Sequence, residues 1–255
     1  MAILLVGGGG LIGTSLVRRL CSGQEELVVY SAHMPRTEAR CAWYQGDVTD
    51  LERLVQVYRQ HRIECVIHNA GISSPKLYLD DPYKIYQVNV VGLLNSLEAA
   101  RSHQVPRFLY ISSAGVYGPG RSVACPIREM AEELFATGAV RKASGLDQKQ
   151  DFIYVEDVSA GIQRILQASA WPHREYNLAS GVLTSFRQVL DVFWRRYPGY
   201  SISMGPGKLG FTENSLNISR IRADFGWEPR MGFEEGMEHY LEWLERELSW
   251  HLSAG

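Results

Sequence analysis

The sequence lacks the features that define several protein classes. It has no apolar run long enough to cross a bilayer, and its 26 basic and 28 acidic residues leave a net charge of -2. A basic field for nucleic acid is therefore missing. We interpret the opening residues Ala2–Val6 as a strand rather than the core of a signal peptide. These absences predict a soluble, cytoplasmic protein with no nucleic-acid or membrane partner.

Metal and disulfide sites also lack support in the sequence. No C-x-x-C pair occurs, and the seven histidines include no H-E-x-x-H motif. We therefore expect no metal site, and we expect the cysteines to be reduced, buried small residues rather than bridges. The four cysteines are Cys21, Cys41, Cys65 and Cys125.

Short apolar runs alternate with segments of helical periodicity over the first half of the 255 residues. This alternation predicts a Rossmann-type α/β fold with a doubly wound parallel sheet, whose ligands lie beyond the carboxyl ends of the strands. The predicted strands are Ala2–Val6, Glu26–Tyr30, Cys65–His68 and Arg107–Ser112. The predicted helices are Thr14–Leu20, Leu51–His61 and Asn89–Ser102.

A glycine-rich turn joins the first predicted strand to the first helix. Gly7, Gly10 and Gly13 follow the spacing G-x-x-G-x-x-G directly after the apolar run. Residues without a Cβ allow the chain to bend, let the backbone approach a pyrophosphate at the helix N-terminus, and let helix pack on strand. The flanking strand and helix favour a dinucleotide site over a glycine-rich loop without a ligand.

Other candidate cofactor residues follow the later strands. Asp47 in GDVTD is placed to accept the adenine amino group, although Asp47 and Asp50 are equally consistent with ordinary turn and N-cap residues. The small residues after Cys65–His68 leave room for a ribose or nicotinamide. The predicted cofactor-binding residues are Gly7, Gly10, Leu11, Ile12, Gly13, Ser31, His33, Arg36, Asp47, Val48, Asn69, Ala70, Gly71 and Asn89.

The end of the second strand favours NADP, with NAD as the alternative. An acidic residue that binds the ribose 2′-hydroxyl is expected there, but Ser31 occupies the position. His33, Arg36 and Arg40 follow in the loop and suit a 2′-phosphate. The competing interpretation is that Arg36 and Arg40 are solvated loop charges.

Together these segments resemble the extended short-chain dehydrogenase/reductase family, the group of NAD(P)-dependent sugar-nucleotide epimerases and dehydratases. The motifs that carry the resemblance are GGGGLIG at 7–13, GDVTD at 46–50, VIHNAG at 66–71, NVVG at 89–92, SSAGVYG at 112–118, DFIYVEDV at 151–158, YNL at 176–178, NISR at 217–220 and GWEP at 226–229. The resemblance implies a Rossmann domain, a bound nicotinamide cofactor and often a dimer.

The resemblance also implies a division into domains. The Rossmann domain would comprise residues 1–118 and roughly 151–180. A small C-terminal α/β substrate-binding lobe would comprise roughly 119–150 and 181–255. Within that lobe, residues 234–245 have the pattern of an amphipathic helix that packs through its apolar face. We also expect Asp157 to cap a helix over 158–166.

One departure from the family pattern concerns catalysis. The family serine, matched by Ser113, works with a Y-x-x-x-K motif, yet none of the 13 tyrosines here has lysine four residues later. The nearest forms are Tyr58 with Arg62 and Tyr117 with Arg121. Residues 116–120, VYGPG, resemble two family segments at once. We therefore expect one helix-plus-strand unit of the family fold to be absent, together with the helix that commonly forms the dimer interface.

The missing motif leaves the source of a proton open, because a nicotinamide cofactor supplies only hydride. Ser113 can polarise a carbonyl, and Tyr117 is the nearest candidate acid, although packing is the commoner role for such a tyrosine. Our main hypothesis is an atypical NADP-dependent ketoreductase acting on a polyketide-like or aromatic ketone, with a proton from substrate or solvent. The alternatives are a sugar-nucleotide epimerase or dehydratase and a non-catalytic NADP-binding protein.

Overall fold

The computed structural model describes residues 2–23, 25–34, 41–73, 81–117, 126–209 and 213–253. The chain divides into two compact units, Met1–Ser113 and Ala114–Gly255. Arg36, Arg40, Arg121 and Cys125 lie outside the described residues.

A parallel sheet of five strands forms the centre of the first unit, in the order β3-β2-β1-β4-β5. This confirms the predicted fold class and the four predicted strands, within one or two residues at their ends. The strands are β1 Ala2–Val6, β2 Glu26–Ser31, β3 Ala42–Gln45, β4 Ile63–His68 and β5 Arg107–Tyr110.

Helices alternate with these strands as predicted. They are α1 Leu11–Cys21, α2 Leu51–Gln60, α3 Pro82–Tyr86 and α4 Gly92–Ser102, with a π-helical turn at Gln87–Val91 between the last two. The helical segment predicted from Asn89 thus begins at Pro82, because proline suits the first helical position and the Asp81 carboxylate accepts a hydrogen bond from Lys84 N.

The core of the first unit lies on the central strands. Every residue of β1 is buried, and Leu4, Val6 and Val66 are fully so. Strands covered on both faces read as continuous apolar runs, which is why the sequence locates them. The edge strand β3 is only half-buried. In the sheet that the described residues form, β5 occupies the other edge.

The second unit has smaller sheets and a helical core. Strands β6 Ala139–Lys142 and β9 Ser201–Met204 pair in parallel, and β7 Lys149–Asp151 pairs antiparallel with β8 Leu183–Ser185. Helices α5, α7 and α9 supply most of the core, and the predicted amphipathic helix is confirmed by the burial of Met237, Leu241 and Leu244. The helices are α5 Pro126–Thr137, α6 Val155–Gln167, α7 Phe186–Arg196, α8 Ser219–Phe225 and α9 Phe233–Ser253.

Asp157 is not the helix cap that the sequence predicts. Helix α6 begins at Val155, so Asp157 lies inside its first turn, where the carboxylate is buried and accepts a hydrogen bond from Met231 N at 2.9 Å. The positive end of the helix dipole still stabilises a carboxylate in the first turn. The assignment of residues 151–180 to the Rossmann domain and the loss of a helix-plus-strand unit both stay predictions.

Candidate functional site

The glycine turn follows β1 and requires glycine at its first position. Gly7 has a φ of +91°, and a Cβ there would lie 2.5 Å from Ala70 N. Its own amide donates to Tyr30 O at 2.8 Å. The turn is therefore enclosed by the ends of β2 and β4, and any side chain at Gly7 would collide with backbone.

The other two motif glycines face different surroundings. A Cβ on Gly13 would lie 2.3 Å from Gly7 O, so α1 packs directly on the turn. A Cβ on Gly10 would meet no atom within 4 Å. Gly10 is the N-cap of α1, and no side chain caps that helix end. The helix N-terminus at Gly10 therefore has open space beside it, which suits a pyrophosphate.

Asn69 holds the turn at the point where the strand order reverses. Strands β1 and β4 are neighbours there, and Asn69 N donates to Val6 O at 2.8 Å. The Asn69 side-chain amide donates to Gly7 O, also at 2.8 Å. Ligands of doubly wound sheets bind at this crevice. The sequence located Asn69 there but gave no sign that its side chain would support the glycine turn.

Asn89 supports the segment that follows β4. Its amide oxygen accepts a hydrogen bond from Ile72 N at 2.7 Å, and its amide nitrogen donates to Ile72 O at 3.1 Å. A Cβ on Gly71 would lie 3.4 Å from the Asn89 oxygen. The structure thus brings Asn69, Ala70, Gly71 and Asn89 together at the carboxyl edge of β4. Their predicted contacts with the cofactor stay predictions.

The Ser31 hydroxyl is already engaged within the protein. Ser31 is buried, and its Oγ accepts a hydrogen bond from Gly9 N at 3.2 Å. A Cβ on Gly9 would lie 2.2 Å from His33 O, so the chain after β2 runs against the turn. His33 is exposed, whereas Arg36 lies outside the described residues. The expected 2′-phosphate contacts of His33 and Arg36 stay predictions.

Asp47 serves a turn, which was one of the two interpretations of its sequence. Its Oδ1 accepts hydrogen bonds from Thr49 N at 2.9 Å and Thr49 Oγ1 at 2.8 Å. Its Oδ2 lies 3.4 Å from Lys84 Nζ. Hydrogen bonds from Thr49, followed by the charge of Lys84, lower the pKa of Asp47, so it is ionised at neutral pH. Asp50 caps α2 by accepting from Arg53 N.

Two residues near Asp47 were missed by the sequence analysis. Lys84 reaches Asp47 from α3, and Asn95 of α4 donates from its side chain to Val48 O and Thr49 O at 3.1 and 3.0 Å. A Cβ on Gly92 would lie 2.5 Å from Val48 Cγ1, so α4 packs tightly on buried Val48. No local pattern announces these contacts, because they join residues more than 35 positions apart.

His68 is a further residue that the sequence analysis did not single out. It is fully buried at the end of β4, and its Nδ1 lies 2.9 Å from Ser96 Oγ. Burial lowers its pKa from 6.5 to about 4. His68 is therefore neutral at physiological pH. We interpret it as a packing residue of the sheet rather than as an acid or base.

The candidate catalytic residues lie after β5. Ile111 N donates to His68 O at 2.9 Å, so strand-like pairing continues to that residue. Ser113 is exposed and ends the first unit. A 3-10 turn, Ala114–Tyr117, follows directly. The Tyr117 side chain lies outside the described residues, and the roles of Ser113 and Tyr117 stay proposals.

The glycine turn lies within a recognised family region. The model of the NAD-dependent epimerase/dehydratase family matches residues 3–139. UDP-glucose 4-epimerase of Lacticaseibacillus casei is 32% identical over 133 residues, which is 51% of this chain and 40% of that protein. The enzyme of Erwinia amylovora is 35% identical over 129 residues, or 46% of this chain and 38% of that protein. The matched region thus spans about two fifths of these relatives' length.

Solved structures resemble the fold over nearly the whole chain. UDP-glucose 4-epimerase of Thermotoga maritima, determined with UDP-glucose, aligns with a TM-score of 0.82 at 20% identity and covers 97% of this chain and 100% of that one. The Thermus thermophilus enzyme, in complex with NAD, aligns at 0.77 and 21% identity and covers 96% and 99%. At this identity the likeness concerns the fold. The family model spans more than half of the sequence and includes the glycine turn, so this chain belongs to the NAD-dependent epimerase/dehydratase family.

Proposed function

We propose that the first unit binds a nicotinamide dinucleotide and that the protein is an NAD-dependent enzyme acting on a sugar nucleotide, with epimerisation as the reaction. The observation that carries the proposal is the glycine turn at the crevice between β1 and β4. Curated relatives that match the same region are UDP-glucose 4-epimerases. No comparison favours our ketoreductase hypothesis, so the sugar-nucleotide alternative takes its place.

The residues around the turn fit a dinucleotide. The open space at Gly10 would take the pyrophosphate, whose charge the N-terminus of α1 favours. Val48 and Asp47 would lie near the adenine, and Ala70 and Gly71 would leave room for the nicotinamide ribose. Leu11 and Ile12 would follow the phosphates as the first residues of the helix.

NAD is the proposed cofactor for two reasons. The Thermus thermophilus structure contains it, and the Ser31 hydroxyl already accepts a hydrogen bond from Gly9 N. The lack of an acidic residue at position 31 supports the competing NADP preference, with His33 and Arg36 as the phosphate contacts. Titration of the protein with NADH and NADPH separates the two. If NADPH binds more tightly than NADH, and Arg36→Ala removes that difference, the cofactor is NADP rather than NAD.

The bound nicotinamide would accept and return hydride at a sugar carbon. We propose that the Ser113 hydroxyl holds the reacting sugar oxygen, as the family serine does. Since the chain has no Y-x-x-x-K motif, we assign the proton exchange to Tyr117, with solvent as the alternative donor.

Replacing Gly10 by alanine tests the cofactor site. The added methyl meets no protein atom within 4 Å, so the melting temperature should stay within about 2 °C of the parent protein, but the methyl occupies the proposed pyrophosphate space. We expect NADH affinity, measured by calorimetry, to fall at least about tenfold, or ~1.4 kcal/mol.

Gly199→Ala is the matched control, because a Cβ at Gly199 also meets no atom within 4 Å and lies in the second unit. It should leave both melting temperature and NADH affinity unchanged. Equal NADH affinity in the parent and Gly10→Ala proteins would refute the proposed pyrophosphate site.

The reaction is tested by incubating the protein and NAD with UDP-glucose and measuring UDP-galactose by chromatography. We expect product formation that falls by roughly a hundredfold in Ser113→Ala, with NADH affinity unchanged. NADPH oxidation with aromatic ketones, in the absence of epimerisation, would restore the ketoreductase hypothesis. Tight dinucleotide binding without turnover of either substrate class would indicate a non-catalytic binding protein.

A further inference from the structure

A cleft lies at the end of α2, at the edge of the sheet opposite to the glycine turn. It encloses about 340 Å³, and residues 58–63 line it together with His103. Helix α2 ends at Gln60, and β4 begins at Ile63, which lies opposite Ala2 of the parallel strand β1. The cleft is therefore at the amino edge of the sheet, whereas the glycine turn follows the carboxyl end of β1. It is separate from the proposed cofactor site.

Tyr58 belongs to the wall of the cleft, and its hydroxyl is unsatisfied. The residue is only 7% exposed, and its ring stacks on His103 with 4.9 Å between the ring centroids. Within the part of the chain that the structure describes, the Tyr58 hydroxyl has no hydrogen-bond partner. Burial raises the pKa of this hydroxyl, so it keeps its proton as a donor. Since an unpaired buried hydroxyl costs free energy, an acceptor supplied by a ligand would stabilise the folded protein.

Two guanidinium groups that line the cleft are available to a ligand. Arg59 and Arg62 lie three residues apart, in the last turn of α2 and just beyond it, and both are exposed. Among the described residues, no carboxylate pairs with either of them. His61 differs, because its Nδ1 lies 2.8 Å from Glu26 Oε1 and its Nε2 lies 2.8 Å from the Tyr44 hydroxyl. The two arginines therefore supply the free positive charge, which suits an oxyanion such as phosphate.

The end of α2 also supplies hydrogen-bond acceptors. The last carbonyl groups of a helix have no partner further along it, and here Val57 O accepts from His61 N at 3.1 Å. The remaining carbonyl groups carry partial negative charge, so they disfavour a bare anion but accept hydrogen bonds from hydroxyl groups. The volume of the cleft is in the range of sites for small organic molecules, which begins at about 300 Å³. The cleft thus combines donors for an oxyanion with acceptors for hydroxyl groups.

We propose that this cleft is a second ligand site, which binds a phosphate monoester that carries hydroxyl groups, such as a sugar phosphate. Arg59 and Arg62 bind the phosphate, and the Tyr58 hydroxyl donates to one of its oxygens. The carbonyl groups at the end of α2 accept hydrogen bonds from the hydroxyl groups of the ester. The site shares no residue with the proposed cofactor site, so neither proposal depends on the other.

Calorimetric titration of the full-length protein tests the site. Glucose 6-phosphate is the probe, and inorganic phosphate and glucose represent the two parts of its chemistry. Excess NADH is present, so that phosphate does not bind at the glycine turn. The same titrations of the Gly10→Ala protein without NADH close that turn independently. We expect one glucose 6-phosphate per chain, bound at least about tenfold more tightly than inorganic phosphate, and no measurable binding of glucose.

Variants identify the residues that bind the probe. Arg59→Gln and Arg62→Gln should each weaken glucose 6-phosphate binding at least about tenfold, because a charge-assisted contact is lost. Tyr58→Phe keeps the ring and removes the hydroxyl, so affinity should fall about threefold or more without a decrease in melting temperature. Arg101→Gln is the matched control, since Arg101 pairs with Glu98 at the end of α4 and does not line the cleft. It should bind glucose 6-phosphate as the parent protein does.

Three results would overturn the proposal. The first is no binding of glucose 6-phosphate up to about 10 mM, a concentration that even a weak site would register. The second is binding that Arg59→Gln and Arg62→Gln leave unchanged, which would place the ligand elsewhere. The third is equal affinity for inorganic phosphate, which would indicate adventitious anion binding at exposed arginines. A failure of NADH to bind would refute the cofactor proposal alone, because the Gly10→Ala titrations contain no NADH.

Discussion

Single residues around the glycine turn act mostly on one another. Asn69 donates to Gly7 O, and Ser31 accepts from Gly9 N. Asn89 accepts a hydrogen bond from Ile72 N and donates one to Ile72 O. These polar side chains satisfy backbone groups that would otherwise be buried without partners near the crevice. Their positions were anticipated as cofactor contacts, and the structure gives them a supporting task. The cofactor would then be bound mainly by backbone and by the space that glycine leaves.

The buried His68 makes stability depend on pH in a predictable direction. Its pKa is lowered from 6.5 to about 4 in the folded protein, so the unfolded chain binds the proton more readily between those values. The contribution of His68 is complete above about pH 6.5 and is lost as pH falls toward about 4. We expect the free energy of unfolding to decline by up to roughly 3 kcal/mol over that window.

The measurement is urea unfolding of the parent protein and His68→Gln at several pH values. The difference between the two free energies should shrink as the pH falls from about 6.5 to about 4, since glutamine has no proton to gain. His103→Gln is a control, because His103 is partly exposed on the surface after α4. A parent-to-variant difference that stays constant with pH would contradict the assigned role of His68.

Whole elements are positioned by caps and by ion pairs that the local sequence only partly reveals. Asp50 and Asp81 cap α2 and α3, and Ser185 forms a capping box with Gln188 at α7. Such caps follow short patterns and can be predicted. The contact between α7 and α9 cannot, because it joins residues more than 40 positions apart.

Arg196 should be the main polar link between α7 and α9. Its guanidinium binds both oxygens of Glu245 at 3.0 and 2.9 Å and Glu238 Oε2 at 2.8 Å. The Arg196 side chain is 25% exposed, against 58% for Arg195, which binds Glu234. We expect Arg196→Ala to lower the free energy of unfolding by about 1–3 kcal/mol, measured by urea denaturation.

Arg195→Ala is the matched control on the adjacent position and should lower the free energy of unfolding much less, since exposed ion pairs contribute little. Losses of equal size in both variants would show that the bidentate geometry has no special value. Full stability in Arg196→Lys would also argue against a stabilising role of the bidentate contact, because lysine cannot bind both Glu245 oxygens in one plane.

At the scale of the whole molecule, the described chain presents two units and an apolar helical face. The structural resemblance to epimerases extends over both units, whereas the family model covers residues 3–139. No helix long and apolar enough to span a membrane, and no cluster of three metal-ligating side chains, occurs among the described residues.

The apolar face runs along α3, the π-helical turn and α4, and it predicts self-association. Tyr83, Tyr86, Val90, Leu94 and Leu97 recur at spacings of three and four residues, and all are exposed. Together they offer on the order of 600 Å² of apolar surface, about three quarters of the ~800 Å² that each partner contributes to a standard interface. We expect a second copy to cover this face, which makes the protein a dimer by light scattering.

Leu94→Glu should shift the mass to that of a monomer, because it places a charge in the middle of the face. Val182→Glu provides the control, since Val182 is also exposed but belongs to the second unit. It should leave the dimer intact. A monomeric parent protein at micromolar concentration, or a dimer that survives Leu94→Glu, would exclude this face as the interface.

The amino-acid sequence by itself determined the strands, the parallel fold class and the glycine turn. Buried parallel strands are continuous apolar runs, and the G-x-x-G-x-x-G spacing reflects a local backbone requirement, so both can be recognised within a short window. The missing Y-x-x-x-K motif is likewise a property of the chain alone. The family motifs in their order along the chain, from GGGGLIG at 7–13 to GWEP at 226–229, predicted the family correctly.

Only the tertiary structure decided which polar side chains remain available around the turn. In the fold, the Ser31 hydroxyl accepts a hydrogen bond from Gly9 N. The Asp47 carboxylate binds Thr49 and Lys84. The Asn95 side chain donates to Val48 O. These contacts depend on strand order and on helices packing across the sheet, which join distant residues through geometry that no local pattern encodes.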